Sequence, residues 1–313
     1  MLFDVVEKIK KAQNVAIFNH ENPDGDAMGS AYALKLVIKA LGKNAEVFMR
    51  EGDHRAKEYL LLKGTEQSNL KIEDCDLKIA VDCADIGRMG SLKKQFTGNT
   101  AAIDHHETHV EFAEATLVVP DAPAAGEVIY DVANELGVEI TKDIAHNIYV
   151  AITCDTGSFK YSSTTAKTHI VAAKLMETGI DVGVISKHIF DTKSFAYLKA
   201  YKNGIDKLEL FADGKISVLA LTAEDFADMG VDEMLIDGIV NLPGNVEGAQ
   251  VGVYIRQREE DFKVSLRSNS DLNVADVAVV FGGGGHAKAS GFTLKMSLED
   301  AKKTVVAELK KRL

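Results

Sequence analysis

The chain has 313 residues, of which 46% are hydrophobic and 27% charged, as in a soluble globular protein with one large or two modest domains. Its 36 Lys and Arg against 47 Asp and Glu give a net charge of −11, which argues against a broad basic surface for long nucleic acid but permits a small anionic substrate. Its 3 cysteines, without a CxxC pair, argue against a disulfide framework or a structural zinc site. The lack of a long apolar run predicts a cytoplasmic protein that has no membrane span.

Short apolar runs alternate with helical patterns through the first half of the chain. Apolar runs predict strands at residues 15–18, 45–49, 77–81, 101–103 and 115–119. Helical spacing of apolar residues predicts helices at 1–11, 27–41, 55–62, 125–136, 142–152 and 165–178. Strands that alternate with helices indicate an α/β fold with a doubly wound, mainly parallel sheet.

The pattern changes in the second half of the chain. Residues 181–207 are predicted to be helical, and strands follow at 216–221, 250–257, 262–267 and 291–294, the middle two forming a hairpin. Helices are predicted at 273–281 and from 297 to the last residue. We therefore expect a first α/β domain at 1–190, a helical linker at 191–210 and a smaller α/β domain with a mixed sheet at 211–313.

Acidic and histidine side chains stand where several of these predicted elements end. The candidates are His20, Asp24, Asp26, Asp82, His105 and Asp155. A single Asp at such a position is more often a helix cap or turn former, but side chains beyond the carboxyl ends of parallel strands meet at one edge of the sheet. Four Asp and two His can hold two divalent cations that share one carboxylate, an arrangement used for displacement at phosphorus. Strand alternation would point His105 and His106 to different sides, so we do not expect both to bind one ion.

A glycine run, Gly282, Gly283, Gly284 and Gly285, followed by His286, forms a second candidate site. Without side chains in the way, the backbone N–H groups of such a run can turn toward an anion. A flexible loop is the simpler interpretation of glycines alone. The histidine directly after the run, and Arg267 at the end of a nearby predicted strand, favour recognition of a phosphate.

These motifs together resemble a known family. The pattern His20-x-x-x-Asp24-x-Asp26, then Asp82, Asp104-His105-His106, Asp155 and the later Gly-Gly-Gly-His, is similar to the DHH phosphoesterase superfamily with its DHH-associated C-terminal domain. Residues 264–268 and 281–291 resemble the subgroup of oligoribonucleases and 3′-phosphoadenosine-5′-phosphate phosphatases.

The resemblance implies a two-metal hydrolase whose substrate lies between two domains. It implies that His20, Asp24 and Asp82 hold one ion, and that Asp26, Asp82, His105 and Asp155 hold the other. His106 would face the phosphate and Asp104 would support the histidines. Mn²⁺ is the expected ion, with Mg²⁺, Co²⁺ and Zn²⁺ as alternatives.

The chain departs from the subgroup at His109, Lys160 and Ser290, where asparagine, arginine and alanine are usual. None of these is a proposed ligand, so the departures concern substrate preference.

The expected activity is hydrolysis of short single-stranded RNA or DNA, about two to five nucleotides long, to 5′-mononucleotides. Hydrolysis of 3′-phosphoadenosine 5′-phosphate to AMP is a second expected activity. Phosphodiesterase action on cyclic or linear dinucleotides is the nearest alternative, and a non-catalytic nucleotide sensor is the alternative of another class. The glycine run argues against a pyrophosphatase, and the charge argues against a long-strand exonuclease. The sequence leaves open whether the protein is a homodimer.

Overall fold

A computed structural model describes residues 2–50, 52, 53, 59, 61–230 and 238–313. The chain divides into two compact units, Met1–Thr192 and Lys193–Leu313. Most of the helix predicted at 55–62 lies outside the described residues. Within the described parts of the chain, no helix is both long enough and apolar enough to cross a membrane.

A parallel five-stranded sheet forms the centre of the first unit, as predicted. Its strands are β1 (Asn14–Phe18), β2 (Asn44–Phe48), β3 (Leu77–Val81), β4 (Thr100–Asp104) and β5 (Ala115–Val118), in the order β2-β1-β3-β4-β5. All neighbouring pairs are parallel. The strands are nearly continuous apolar runs because both faces of the sheet are buried.

The helices of the first unit agree closely with the predicted ones. They are α1 (Leu2–Lys11), α2 (Gly25–Ala40), α3 (Ala125–Glu135), α4 (Lys142–Asp155), α5 (Ala166–Glu177) and α6 (Val182–Ser186), followed by a π-helical turn at Lys187–Asp191. All six contribute to one large apolar cluster with the sheet. A smaller cluster around Phe18, Met89 and Phe96 covers the opposite face, and Met89 belongs to an irregular 3₁₀ segment, Ile86–Lys94, that the sequence did not predict.

The strand order identifies where a ligand would bind in the first unit. The order reverses between β1 and β3, and open α/β sheets bind ligands beyond the carboxyl ends of the strands at such a switch point. The loop after β1 carries His20, Asp24 and Asp26, and Asp82 directly follows β3. The topology therefore brings these side chains to neighbouring strand ends.

The second unit contains a mixed six-stranded sheet. Its strands are β6 (Leu208–Phe211), β7 (Ile216–Leu221), β8 (Val251–Gln257), β9 (Phe262–Ser268), β10 (Gly284–Gly285) and β11 (Ala289–Leu294), in the order β10-β11-β9-β8-β7-β6. The predicted hairpin is confirmed as the antiparallel pair β8–β9. The short strands β6 and β10 were not predicted.

Helices cover both faces of this second sheet. They are α7 (Phe195–Asp206), α8 (Ala223–Met229), α9 (Val274–Val280) and α10 (Leu298–Lys310), with a 3₁₀ segment at Ile239–Asn245. Residues of α9 and α10 pack on one face, and residues of α7 and α8 pack on the other. The predicted helices at 273–281 and from 297 are confirmed, whereas α8 was missed because its seven residues give too short a periodic pattern.

Candidate metal centre

The loop after β1 turns directly into α2 through an aspartate cap. Asp24 is the N-cap of the helix, and its Oδ1 accepts hydrogen bonds from the backbone N–H groups of Asp26 at 3.1 Å and Ala27 at 3.0 Å. The amide of Asn19 donates to the carbonyl of Ala27 at 2.6 Å and ties the loop to the same turn. Asp24 is therefore both a helix cap and a candidate ligand, since only one of its oxygens is used by the cap.

Asp26 is buried and is held by three hydrogen bonds. The backbone N–H groups of Ala125 and Gly126, at the start of α3, donate to its carboxylate at 2.6 and 3.0 Å, and the Ser30 hydroxyl donates at 2.8 Å. The positive end of the α3 dipole also faces this carboxylate. Burial nevertheless raises the pKa of Asp26 well above its ordinary value, and the nearby charges of Asp82 and Asp155 raise it further.

Asp82 lies at the centre of the site in an unusual backbone conformation. Its φ is 55°, in the left-handed region that L-residues rarely adopt, and its backbone N–H donates to the Ile103 carbonyl on β4 at 3.0 Å. Its Oδ1 is buried and has no hydrogen-bond partner among the described residues. A buried carboxylate oxygen without a donor is costly, and a cation at this point would compensate it.

Hydrogen bonds fix the ring tautomers of His20 and His105. In each ring Nδ1 donates to a backbone carbonyl, that of Glu21 at 3.0 Å and that of Ala122 at 3.1 Å. A carbonyl oxygen can only accept, so Nδ1 carries the proton and the Nε2 lone pair is available. This is the tautomer of a histidine that binds a metal through Nε2, oriented by a second partner.

The Nε2 atoms of His105 and His20 face carboxylates. His105 Nε2 lies 3.6 Å from Asp26 Oδ2, 3.5 Å from Asp82 Oδ1 and 3.5 Å from Asp155 Oδ2. His20 Nε2 lies 3.8 Å from Asp82 Oδ2. These separations suit ligands arranged around a shared cation, because a lone pair and a carboxylate repel each other unless a positive charge lies between them.

The pKa shifts of His105 and Asp155 also indicate that the cluster favours a cation. Burial would lower the pKa of His105, but its contacts with Asp82 and Asp26 outweigh burial and raise it to about 10. Burial raises the pKa of Asp155 to about 6, against the opposing effect of His105. A site crowded with acids favours a positive charge at its centre, whether from a proton or from a metal ion.

The described residues contain three groups whose ligand atoms all lie within 4.8 Å of one another. Their members are His20, Asp24 and Asp82; Asp26, His105 and Asp155; and Asp82, His105 and His106. All six predicted ligands belong to these groups. The carboxylate and imidazole donors, the fixed tautomers and the unpartnered Asp82 oxygen fit divalent metal ions.

His105 and His106 do not diverge as strand alternation led us to expect. Their ring centroids are 4.8 Å apart, and both rings have a nitrogen near Asp82 Oδ1. The reason is that β4 ends at Asp104, so the alternation of an extended strand does not continue through the two histidines.

Asp104 is fully buried behind this pair and accepts three hydrogen bonds. They come from His106 Nδ1 at 2.8 Å, the His105 backbone N–H at 2.9 Å and His109 Nδ1 at 2.5 Å. Burial would raise the pKa of Asp104, but the hydrogen bonds from His106 and His109 hold it well below its ordinary value. The hydrogen bond that His106 donates to Asp104 is in turn the main reason that the pKa of His106 is raised.

His109 is the residue of this network that the sequence did not assign. Its ring stacks on Phe112 with centroids 5.3 Å apart, and its position shortly after the Asp-His-His run was the only available signal. The contacts of Asp26 with Ser30 and with the start of α3 were also missed. The small residues of the segment 124–126 were the signal for the second contact, because a close approach of backbone requires them.

The second candidate site involves the neighbouring strands β10, β11 and β9 of the second sheet. Arg267 on β9 pairs with Ala289 on β11, and β10, made of Gly284 and Gly285, is the next strand along. The Arg267 guanidinium donates to Asn241 Oδ1 at 3.1 Å and to the Leu266 carbonyl at 3.1 Å. The side chain of His286 is exposed in the turn that joins β10 to β11.

The glycine run differs in one respect from our expectation. The N–H groups of Gly282 and Gly283 donate to carbonyls at the end of α9, at 3.0 and 2.9 Å, and are therefore not available to an anion. Gly283 also lies so close to β11 that an added Cβ would be 2.2 Å from the Gly291 carbonyl oxygen. These two glycines serve helix termination and close packing, which the residue pattern alone cannot distinguish from anion binding.

Two sequence profiles match most of the chain. The DHH family, N-terminal domain, matches residues 14–152, and the DHHA1 domain matches residues 214–313. The first range contains every predicted metal ligand except Asp155, and the second contains Arg267, the glycine run and His286.

Curated relatives match over nearly the whole length. The bifunctional oligoribonuclease and PAP phosphatase NrnA of Thermus thermophilus is 32% identical, over 99% of this chain and 93% of the relative. The probable bifunctional oligoribonuclease and PAP phosphatase NrnA of Streptococcus mutans is 27% identical, over 92% of this chain and 91% of the relative.

Solved structures share the fold. An exopolyphosphatase-related protein from Bacteroides fragilis superposes with a TM-score of 0.86 at 23% identity, covering 99% of this chain and 95% of that one. RecJ from Thermus thermophilus, in complex with Mn²⁺, gives a TM-score of 0.57 at 14% identity, covering 100% of this chain and 55% of that one.

Proposed function

The chain belongs to the DHH family, and from this premise we propose that it is a two-metal phosphoesterase that hydrolyses short oligonucleotides, about two to five nucleotides long, to 5′-mononucleotides. The observation that carries the proposal is the set of overlapping ligand groups that share Asp82 and His105. The names of the relatives support the substrate class, since they describe oligoribonucleases that are also PAP phosphatases.

In this proposal His20, Asp24 and Asp82 hold one divalent ion. Asp26, Asp82, His105 and Asp155 hold the other, so that Asp82 serves both. When bound, two such ions would make a water molecule more acidic and neutralise charge that develops on the phosphoryl oxygens. The ligand chemistry suits Mn²⁺, with Mg²⁺, Co²⁺ and Zn²⁺ as alternatives. The Mn²⁺ complex of RecJ is compatible with this choice.

His106 would act on the substrate and Asp104 would position it. Because Asp104 accepts from Nδ1 of His106 at 2.8 Å, the other ring nitrogen, Nε2, is the one left for the substrate. The hydrogen bond with Asp104 raises the pKa of His106, which favours the doubly protonated ring. Nε2–H can then donate to a phosphate oxygen or to the departing oxygen of the leaving group.

The second unit would supply a clamp for one end of the substrate. We assign this role to Arg267, to the glycine run 282–285 and to His286, which lie on or beside the neighbouring strands β9, β11 and β10. A guanidinium can form two parallel hydrogen bonds with a phosphate. Gly284 has open space beside it, whereas Gly285 packs against Ala289 and Ser290 of β11, and the N–H groups of Gly282 and Gly283 are already used. We keep the division into a catalytic domain at 1–190, a linker at 191–210 and a substrate-binding domain at 211–313 as part of this proposal.

A clamp of this kind fits a short substrate. Long strands gain affinity by neutralising many phosphates along a basic groove, and a chain with a net charge of −11 is poorly suited to that. The metal ions and one clamp would provide most of the binding. Hydrolysis of 3′-phosphoadenosine 5′-phosphate to AMP is the second proposed activity, and the names of the relatives favour it.

The experiment that tests the proposal compares Asp82→Ala with Asp143→Ala in metal binding and turnover. Asp82 serves both proposed ions, so its loss should remove bound Mn²⁺ and abolish hydrolysis of a dinucleotide. Asp143 lies in the first turn of α4, about 18 Å from Asp155 at the other end of the helix, and its loss should change neither. A nucleotide sensor would bind dinucleotides without turnover, and wild-type turnover that persists after thorough chelation would contradict the metal mechanism.

A further inference from the structure

Tyr161 is an exposed aromatic residue shortly after the proposed ligand Asp155 in the chain, and the mechanism above does not use it. The residue is 56% exposed, and it lies in the loop that follows α4, the helix that ends at Asp155. The ring itself rests on Gly157, only two residues from Asp155. Two residues of chain span at most about 7 Å, so the backbone beneath the ring lies within that distance of the Asp155 backbone.

The contact with Gly157 determines which surface of the ring is free. A Cβ built on Gly157 would lie 2.4 Å from Cζ of Tyr161 and 2.7 Å from both Cε atoms. Equal distances to the two Cε atoms, only slightly longer than that to Cζ, place this point under the face of the ring and not beyond its edge. Gly157 therefore covers one face of Tyr161, and the exposed fraction of the side chain belongs mainly to the opposite face.

Several hydrogen bonds hold the loop beneath the ring. Gly157 has a φ of 55° and ends α4 in a Schellman motif, in which the Ser158 N–H donates to the Thr153 carbonyl at 2.8 Å. The Thr156 hydroxyl donates to the Ile152 carbonyl at 2.6 Å and accepts from the Phe159 N–H at 2.9 Å. The Tyr161 N–H donates to the Thr156 carbonyl at 3.0 Å.

The same loop carries backbone strain. Ser158 and Phe159 have φ values of 62° and 61°, in a region that is unfavourable for side chains of this kind. The Phe159 ring is packed between Tyr149 and His169, with centroid distances of 5.9 and 5.3 Å. Packing thus maintains a conformation that the backbone alone would not adopt, and strain of this kind is characteristic of functional sites.

We propose that Tyr161 is a stacking platform for a nucleobase of the substrate. This inference rests on the proposed function, since it assumes a nucleotide at the metal centre. An aromatic ring with one face covered, one face open and a fixed backbone loses little entropy when a base stacks on it. Because every base has a π-face, stacking also gives affinity without sequence preference, as an enzyme that clears mixed short oligonucleotides requires.

The test measures Tyr161→Ala and Tyr161→Phe on the 5′-phosphorylated dinucleotide pApA and on two analogues that each lack one base. Tyr161→Ala should lower kcat/KM on pApA roughly tenfold or more, mainly through KM. It should have no effect on the analogue that lacks the stacked base. Tyr161→Phe should behave like the wild type. The matched control is Phe3→Ala, an aromatic that is 66% exposed on α1, which should change nothing.

A binding readout complements the kinetics. The chain contains no tryptophan, so the fluorescence of a dinucleotide with 2-aminopurine at the stacked position can be followed without protein background. Wild type and Tyr161→Phe should quench it, and Tyr161→Ala should not. An equal loss on pApA and on both analogues, or no loss with Tyr161→Ala, overturns the proposal. If the wild type cleaves no dinucleotide at all, the proposed function fails and the stacking role fails with it.

Discussion

Replacement of Lys35 by methionine should destabilise the first unit strongly without touching the metal centre. Lys35 lies on α2, and its ammonium donates to Glu46 Oε1 on β2 at 2.6 Å and to the Glu66 carbonyl at 2.8 Å. The side chains of Lys35 and Glu46 are 0% and 1% exposed. The backbone N–H of Ser68 also donates to Glu46, at 2.6 Å, so the pair fixes the segment around residues 66–68 to the sheet.

The expected loss follows from the burial of the pair. Removal of one partner from a buried ion pair costs about 3–5 kcal/mol, because the remaining charge is uncompensated, and this is a large part of a typical total stability of about 5–15 kcal/mol. Burial raises the pKa of Glu46, but its hydrogen bonds with Lys35 and Ser68 outweigh burial and hold the pKa below its ordinary value. In the wild type this contribution is present at neutral pH and is lost as the pH falls through the lowered pKa.

In Lys35→Met the pH dependence of the contribution that Glu46 makes to stability reverses its sign. Without the ammonium, burial should raise the pKa of Glu46 above its unfolded value, so the variant loses stability as the pH rises through that raised pKa. The difference in free energy of unfolding between wild type and variant should therefore be small near pH 4 and reach its full size near pH 7. Urea unfolding followed by far-UV circular dichroism at both pH values measures it.

Two further variants make this measurement decisive. Lys39→Met removes an exposed lysine from the same helix and should change stability by less than about 0.5 kcal/mol. The double variant Lys35→Met with Glu46→Gln should regain much of the loss, because no buried charge is left alone. Metal binding should be unchanged throughout, since Lys35 lies about 14 Å along α2 from Asp26. A loss in Lys35→Met below about 1 kcal/mol, or one independent of pH, would refute the reasoning.

Three other outcomes are expected. His109→Ala should lower kcat about 10–100-fold with Mn²⁺ content unchanged. His109→Asn should retain much of the wild-type rate, because an amide can also donate to Asp104. Loss of metal in His109→Ala would contradict a positioning role. Gly126→Ala should lower the free energy of unfolding by about 1–3 kcal/mol, measured by thermal unfolding, since its Cβ would lie 2.5 Å from Ala151 Cβ. A neutral effect would show that α3 and α4 can move apart to accommodate the methyl group. Arg267→Ala should raise KM for dinucleotides and leave bound metal unchanged, whereas lost metal would argue against the clamp.

The fold was largely predictable because its signals are local. The runs at β1, β3 and β7 are mainly apolar, and the turns and caps between elements are made by residues such as Gly42, Asp24 and Ser297. The elements that were missed are short or irregular. The strand β10 consists of two glycines, and it exists only because β11 supplies a partner, which is information that no local pattern contains.

The clustering of the predicted ligands could be expected from the sequence, but the detailed contacts around them could not. Convergence of the ligands follows largely from parallel topology, because each stands shortly after a strand, at the start of α2 or at the end of α4. The tautomers of His20 and His105 depend on carbonyls of Glu21 and Ala122, and the latter lies 17 residues away from its histidine. The partnership of His109 with Asp104, and the use of Gly282 and Gly283 to end α9, likewise depend on how the chain is packed.

The length dependence of catalytic efficiency tests the central claim most directly. Single-stranded RNA substrates from about 2 to about 20 nucleotides, at fixed salt and with saturating Mn²⁺, should show kcat/KM highest on the shortest chains. The product should be 5′-mononucleotides, and the salt dependence should be weak, because few phosphates are neutralised by the protein. An efficiency that rises steadily with length and falls steeply with salt would reveal an extended basic groove and contradict the assignment of short oligonucleotides as substrates.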